Sequence, residues 1–171
     1  MNLVFERSNI LLLFFCSLVL ASCGVYTFKD VSIDYSKYKT IKIDFIENRA
    51  SYKNPQLSPQ ITNALQQKIG NQTKLTRTNN DDANYRVGGY ISSYSVSTAG
   101  ISSQQAATNR LTVGVHMTLI DNVTNKTQDF DISRDFDFTA GLSLQQAEAQ
   151  LMPDIIKNVT DEIFNRLFSN W

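Results

Sequence analysis

The 171-residue chain reads as an α+β protein with a single domain: a mostly antiparallel sheet of four to five strands, two helices packed on one face, in the order β-α-β-β-β-β-α. Three observations predict this. Apolar residues alternate in several stretches, the mark of half-buried strands. Two other stretches repeat an apolar residue every three or four positions, as helices do. One helical stretch follows the first strand and the other closes the chain, and helices on one side of an antiparallel sheet bury every apolar stripe at once.

The elements follow in order. Thr40 to Ile46 alternates, with Ile41, Ile43 and Phe45 on one face. Residues 48–56 form a loop. Ser58 offers an N-cap with Pro59 at the first helical position, and Ile61, Leu65 and Ile69 recur every four residues until Gly70. A weak strand at 73–78 leads through the turn cluster 79–82 into Tyr85 to Val96, where Gly88 and Gly89 mark a bulge or a close backbone approach. Residues 97–109, STAGISSQQAATN, are small and polar and read as the longest loop. Arg110 to Ile120 is the cleanest strand: Leu111, Val113, Val115, Met117 and Leu119 face one way, and Thr112, His116 and Thr118 the other.

Residues 121–126 turn the chain. Phe130, Ile132, Phe136 and Phe138 then share a packed face, while Asp129, Asp131, Asp135 and Asp137 line a wet one. Ser143 and Gln146 make a capping box that opens the last helix. Its stripe runs Leu144, Ala147, Leu151, Ile155, Val159, Ile163 and Leu167, and Pro153 is expected to kink or restart it.

Ahead of the domain, Arg7 precedes an uncharged run at 10–21 that ends in Leu20-Ala21-Ser22-Cys23. A bilayer-spanning helix needs roughly 20 apolar residues, so the run has the length of a removable export signal. The branched-small-small-Cys order is that of a bacterial lipobox, in which the Cys23 thiol takes a diacylglycerol and the new N-terminus an acyl chain. The competing reading is a core cysteine after a hydrophobic strand. Residues 1–22 are thus a lipoprotein signal peptide and 23–38 a lipidated tether. Cleavage removes Cys16, which leaves no disulfide, and two or three acyl chains at ~0.8 kcal/mol per buried CH₂ hold stably to a membrane.

Sixteen basic and sixteen acidic residues cancel, so the basic excess of a nucleic-acid binder is missing. His116 is the only histidine, which excludes metal sites built on two or three histidines. No nucleophile elbow or phosphate loop is present, so enzymatic chemistry and a cofactor beyond the Cys23 lipid are not expected. Neighbours among the aspartates at 129, 131, 135 and 137 stand at least about 7 Å apart along their strand, too far for two to share a calcium ion unaided. A solvated face is the favoured reading. Arg134 interrupts the phenylalanine face, either as an inward charge that blocks edge-to-edge pairing or as a contact for an anionic ligand. Tyr85, Tyr90 and Tyr94 suit an interface as well as a core.

Several segments together resemble the LPS-assembly lipoprotein family LptE of Gram-negative bacteria, in its Bacteroidetes-like form. They are Cys23-Gly24-Val25-Tyr26-Thr27-Phe28 after the lipobox, Asn54-Pro55-Gln56-Leu57-Ser58 before the first helix, Ala107-Thr108-Asn109-Arg110-Leu111-Thr112-Val113 entering the best strand, and Ile163-Phe164-Asn165-Arg166 to Asn170-Trp171 at the end. The resemblance spans the chain from Cys23 onward and makes 39–171 an LptE-like α/β domain. It implies a non-enzymatic outer-membrane lipoprotein, facing the periplasm or a barrel lumen. Such a protein plugs and helps assemble the LptD β-barrel and assists delivery of lipopolysaccharide. Gly24 after the cysteine, rather than Asp, agrees with outer-membrane sorting. Arg110, Lys126 and Arg134 are the first candidates for contact with lipopolysaccharide phosphate or with the partner. The alternative is a periplasmic lipid-binding lipoprotein without a barrel partner, which needs an apolar cavity between sheet and helices.

Overall fold

The computed structural model describes residues 33–102 and 105–168; the lipobox, Cys23 and the tether up to residue 32 lie outside them. The elements are β1 (Thr40–Ile43), β2 (Glu47–Asn48), α1 (Leu57–Gln72), β3 (Thr76–Arg77), β4 (Tyr85–Ser102), β5 (Gln105–Asp121), β6 (Lys126–Thr139) and α2 (Leu144–Phe168). The sheet has six strands in the order β3-β1-β4-β5-β6, with β2 also paired to β4. The long strand β5 is antiparallel to both of its long neighbours, β4 and β6, and the short β1, β2 and β3 make parallel pairs. Parallel neighbours need a crossover connection, and α1 is the crossover between β1 and β3.

The core lies between the sheet and the two helices. Ile41, Val87, Ile91, Leu111, Val115 and Met117 from the strands meet Ile61, Leu65, Ile155 and Ile163 from the helices, all at 0% exposure. The periodicities in β5 and in both helices therefore name the buried faces correctly. The capping box also forms: the Ser143 amide donates to Gln146 Oε1 (3.0 Å), and the Gln146 amide to Ser143 Oγ (3.3 Å).

Several expectations are corrected. The described residues of the loop expected at 97–109 are instead strand: β4 and β5 continue pairing as far as Ser102–Gln105. The segment holds Ser, Thr and Ile and no Pro, so small polar residues conceal a chain that pairs readily along its backbone. β6 reaches only as far as Thr108, leaving the tip two strands wide. The first strand ends at Ile43: the Asp44 amide makes a last bond to the Val87 carbonyl (2.8 Å), and Ile46 then turns inward with its amide on Thr62 Oγ1 (3.1 Å). Phe45 is consequently 56% exposed rather than packed.

At α1 the cap is not Ser58. Asn54 organises the entry, accepting from the Gln56 amide through Oδ1 (2.9 Å) and from the Leu57 amide through its carbonyl (3.3 Å), while Ser58 is buried in the first turn. The helix also passes Gly70 and closes on Thr73, whose amide and hydroxyl both donate to the Ile69 carbonyl (3.0 and 2.8 Å). Pro153 does not restart the helix, and α2 is continuous through it. Gly88 and Gly89 pair in register, and the bulge lies further on, between Ile91 and Ser93. The close approach is at Gly89, where a β-carbon would stand 2.4 Å from the His116 carbonyl oxygen.

Of the stretch read as a tether, Ile33, Tyr35 and Tyr38 are packed against the core. Tyr38 stacks on Tyr85 (4.4 Å between centroids) and donates its hydroxyl to Asp121 (2.8 Å).

Candidate functional site: the uncovered face of the sheet

The helices cover one face of the sheet, and the period of two in β4, β5 and β6 sends every second side chain to the other. That uncovered face is polar and arranged in cross-strand rows. Arg110 lies beside Asp137, Thr112 beside Asp135, His116 beside Asp131 and Thr118 beside Asp129. In each pair the β5 side chain meets the carboxylate: Arg110 Nε at 2.7 Å, Thr112 Oγ1 at 2.7 Å, His116 Nδ1 at 2.9 Å and Thr118 Oγ1 at 2.6 Å. The aspartates are exposed, as the sequence suggests, and each is also bound to its neighbour strand. Among the described residues no group of three His, Cys, Asp or Glu is placed to hold a metal ion.

A second row crosses the sheet near its middle. Arg49, just after β2, lies over the Tyr90 ring (4.5 Å), and Tyr90 leans on His116 (5.0 Å). With Asp44, Arg86 and Thr118 they line a shallow cleft of about 370 Å³. The cations here have partners: Arg86 Nε bonds to Asp44 (2.8 Å), which raises the guanidinium's already high pKa, and Arg49 to Glu47 (2.9 Å). This face can present aromatic and hydrogen-bonding groups to another polar surface at little electrostatic cost.

The three basic candidates do not converge. Arg110 is on the uncovered face, held by two bonds to Asp137 and 3.8 Å from Asp135. That grip holds the Asp137 carboxyl below its ordinary range. Lys126 is at the other end of β6, roughly 35 Å away along a strand that rises about 3.3 Å per residue. It borders a cleft of about 210 Å³ with Tyr85, Asp121 and Phe168. Arg134 is on the helix side, ion-paired with Glu162 of α2, which Arg166 also approaches (3.5 Å). The charge that interrupts the phenylalanine face thus has its counter-charge on the helix packed against it.

One buried group escapes the sequence reading. Glu148 is 6% exposed and accepts hydrogen bonds from Tyr94 (2.7 Å) and Tyr52 (3.3 Å). Burial, with Glu148 beside it, pushes the Tyr94 phenol well above its usual range. The signal was available: Glu148 stands midway between Leu144 and Met152 at helical spacing, a charge inside an apolar stripe.

Fold and surface together define a small α+β domain with a filled core and one polar, helix-free sheet face. The chain belongs to the LptE family of lipopolysaccharide-assembly proteins, whose pattern matches residues 38–167. Among solved structures, a hypothetical protein of Chlamydia trachomatis shares the fold with a TM-score of 0.54 at 12% identity, over 76% of this chain and 95% of its own. Rare lipoprotein B of Shewanella oneidensis is similar at TM-score 0.46 and 16% identity, over 73% of this chain and 89% of its own. A minor lipoprotein of Acinetobacter baumannii gives 0.48 and 15%, over 76% and 92%. No curated protein matches the sequence.

Proposed function

We propose that this protein is an outer-membrane lipoprotein, anchored through acyl chains on Cys23, that sits as a plug in an LptD-type β-barrel. There it helps the barrel assemble and assists insertion of lipopolysaccharide into the outer leaflet. It acts by shape and surface, as a binding partner and not as an enzyme. The observation that carries this reading is the filled core beneath a polar, internally hydrogen-bonded sheet face, in a chain of the LptE family. A body enclosed by a polar lumen needs contacts on its outside and a rigid inside. Arg110, Lys126 and Arg134 remain the cationic groups to test for contact with the barrel or with lipopolysaccharide phosphate.

The rival, a lipid-binding lipoprotein, requires an apolar cavity between sheet and helices, where Ile41, Leu65, Met117 and Ile155 are packed. The deciding experiment is purification of the tagged, lipidated chain from detergent-solubilised outer membrane. Recovery of a β-barrel protein in a one-to-one complex supports the reading, and recovery of the chain alone from that membrane contradicts it. The anchor is tested separately by Cys23→Ala, which should accumulate as uncleaved or mislocalised precursor; normal processing would overturn the lipoprotein assignment.

A further inference from the structure

Glu148 is the only charged side chain in the core among the described residues. Its carboxylate is met by two neutral phenols, and no described Lys, Arg or His forms an ion pair with it. A carboxylate has about four acceptor positions, so two bonds leave capacity, and a buried charge without a counter-ion is costly. The group is not sealed off. It lines a cleft of about 600 Å³ between residues 52–56 and the start of α2, together with Tyr52, Gln56, Gln145 and Met152. Tyr52 is 44% exposed there, and its ring stacks against Tyr94 (5.5 Å).

We propose that this cleft is a socket for one arginine side chain carried by a partner protein. Each part of the lining answers a part of that side chain. The carboxylate faces a planar fork of N–H donors, which it can bind through two oxygens. The Tyr52 ring offers the flat face on which a guanidinium stacks. The side-chain carbonyls of Gln56 and Gln145 can accept the remaining N–H groups, and Met152 with Pro55 and Ala149 can receive the methylene stem. A metal ion would want more anionic ligands than this cleft supplies. Arginines seated in desolvated pockets are among the residues that dominate protein interfaces, and the socket holds whichever protein supplies one.

The test uses the full lipidated chain in detergent micelles with its methionine methyls carbon-13 labelled. Met152 lines the cleft, and Met117 in the core reports on the fold. Titration with Nα-acetyl-arginine methylamide should shift Met152 saturably and leave Met117 unmoved. The neutral isostere Nα-acetyl-citrulline methylamide and the lysine analogue should bind at least about tenfold more weakly. Glu148→Gln should lose the arginine response. Should that variant not fold, Ala149→Leu, on the exposed rim, blocks the cleft with the carboxylate in place and should also abolish the Met152 shift. The proposal is overturned by no saturable shift with arginine, by citrulline or lysine matching it, or by a folded variant titrating like the parent.

Discussion

Arg110 clasps Asp137 across the β5–β6 pair with two parallel bonds, Nε to Oδ1 at 2.7 Å and Nη2 to Oδ2 at 3.0 Å. An incoming phosphate would have to displace a carboxylate already in place, so the role of Arg110 at the surface depends on exchanging one anion for another. The pair is exposed, and Arg110→Ala should leave the melting temperature close to the parent's. The Asp137 carboxyl should move up toward its ordinary range in an NMR titration. Its folded pKa is depressed, so what stability the pair gives is present above the unfolded pKa and lost as pH falls through the folded one. An unmoved Asp137 titration would mean that Arg110 does not hold it in solution.

In cells, Arg110→Ala and Arg134→Ala, singly or together, should keep the fold and weaken barrel assembly or lipopolysaccharide delivery, seen as greater sensitivity to bulky antibiotics. Asp129→Asn and Asp131→Asn retain an acceptor for Thr118 and His116 and should be silent. The opposite pattern, with crippling aspartate changes and harmless arginine changes, would make the acidic row the working surface.

Helices α1 and α2 are joined by Lys68 and Asp161 at 2.8 Å, with the Lys68 ammonium also over the Phe164 ring (5.1 Å). Burial pushes the Asp161 carboxyl up, but its bonds to Lys68 and then Lys157 outweigh this and hold it below the usual range. A depressed folded pKa gives stability that is present above the unfolded value, about 3.9, and disappears as pH falls through the folded one. Lys68→Met should therefore cost roughly 0.5–1 kcal/mol at neutral pH and less once the pH has fallen through the folded pKa. Melting curves across that range check it; an equal loss at both ends would assign the effect to packing on Phe164.

Two glycines should respond in opposite directions. Gly89 faces the core where a β-carbon would meet the His116 carbonyl and the Met117 sulfur (2.4 and 2.6 Å), so Gly89→Ala should destabilise by about 1–3 kcal/mol. Gly70 lies inside α1 with nothing within 4 Å of an added methyl and no positive φ. Gly70→Ala should stabilise by about 0.5–1 kcal/mol. Urea unfolding of both variants checks the signs.

Val113→Asp and Ile163→Asp each put a carboxylate without a partner into the sheet–helix core, where the parents are 1% and 0% exposed. Each should cost several kcal/mol and abolish folding. A soluble variant with the parental melting temperature would show these faces to be inverted.

What the sequence disclosed follows from the range of the forces involved. The faces of β5 and α2 were legible because burial imposes a strict period over many residues, and the Ser143 box because capping is local. Of the short parallel strands, Thr40–Ile43 and Thr76–Arg77 fall inside stretches that read as strands, but Glu47–Asn48 was not legible. It holds its place through a partner far along the chain, and two residues carry no period. The strand pairing within 97–109 was hidden because the backbone, not side-chain pattern, makes it. Arg134 was seen to be out of place, but Glu162 is 28 residues away on another element. Glu148 went unread for the same reason: its phenol partners come from β4 and the loop before α1.

The central claim is enclosure by a barrel, and its most direct test is photo-crosslinking in living cells from two opposite sides of the domain. Ser133 is exposed on the uncovered sheet face, and Lys157 is exposed on α2 across the core from it. With a photoreactive residue at either position, the account predicts that both variants cross-link to the same outer-membrane β-barrel protein. A cross-link from one side only, or from neither, would contradict the plug.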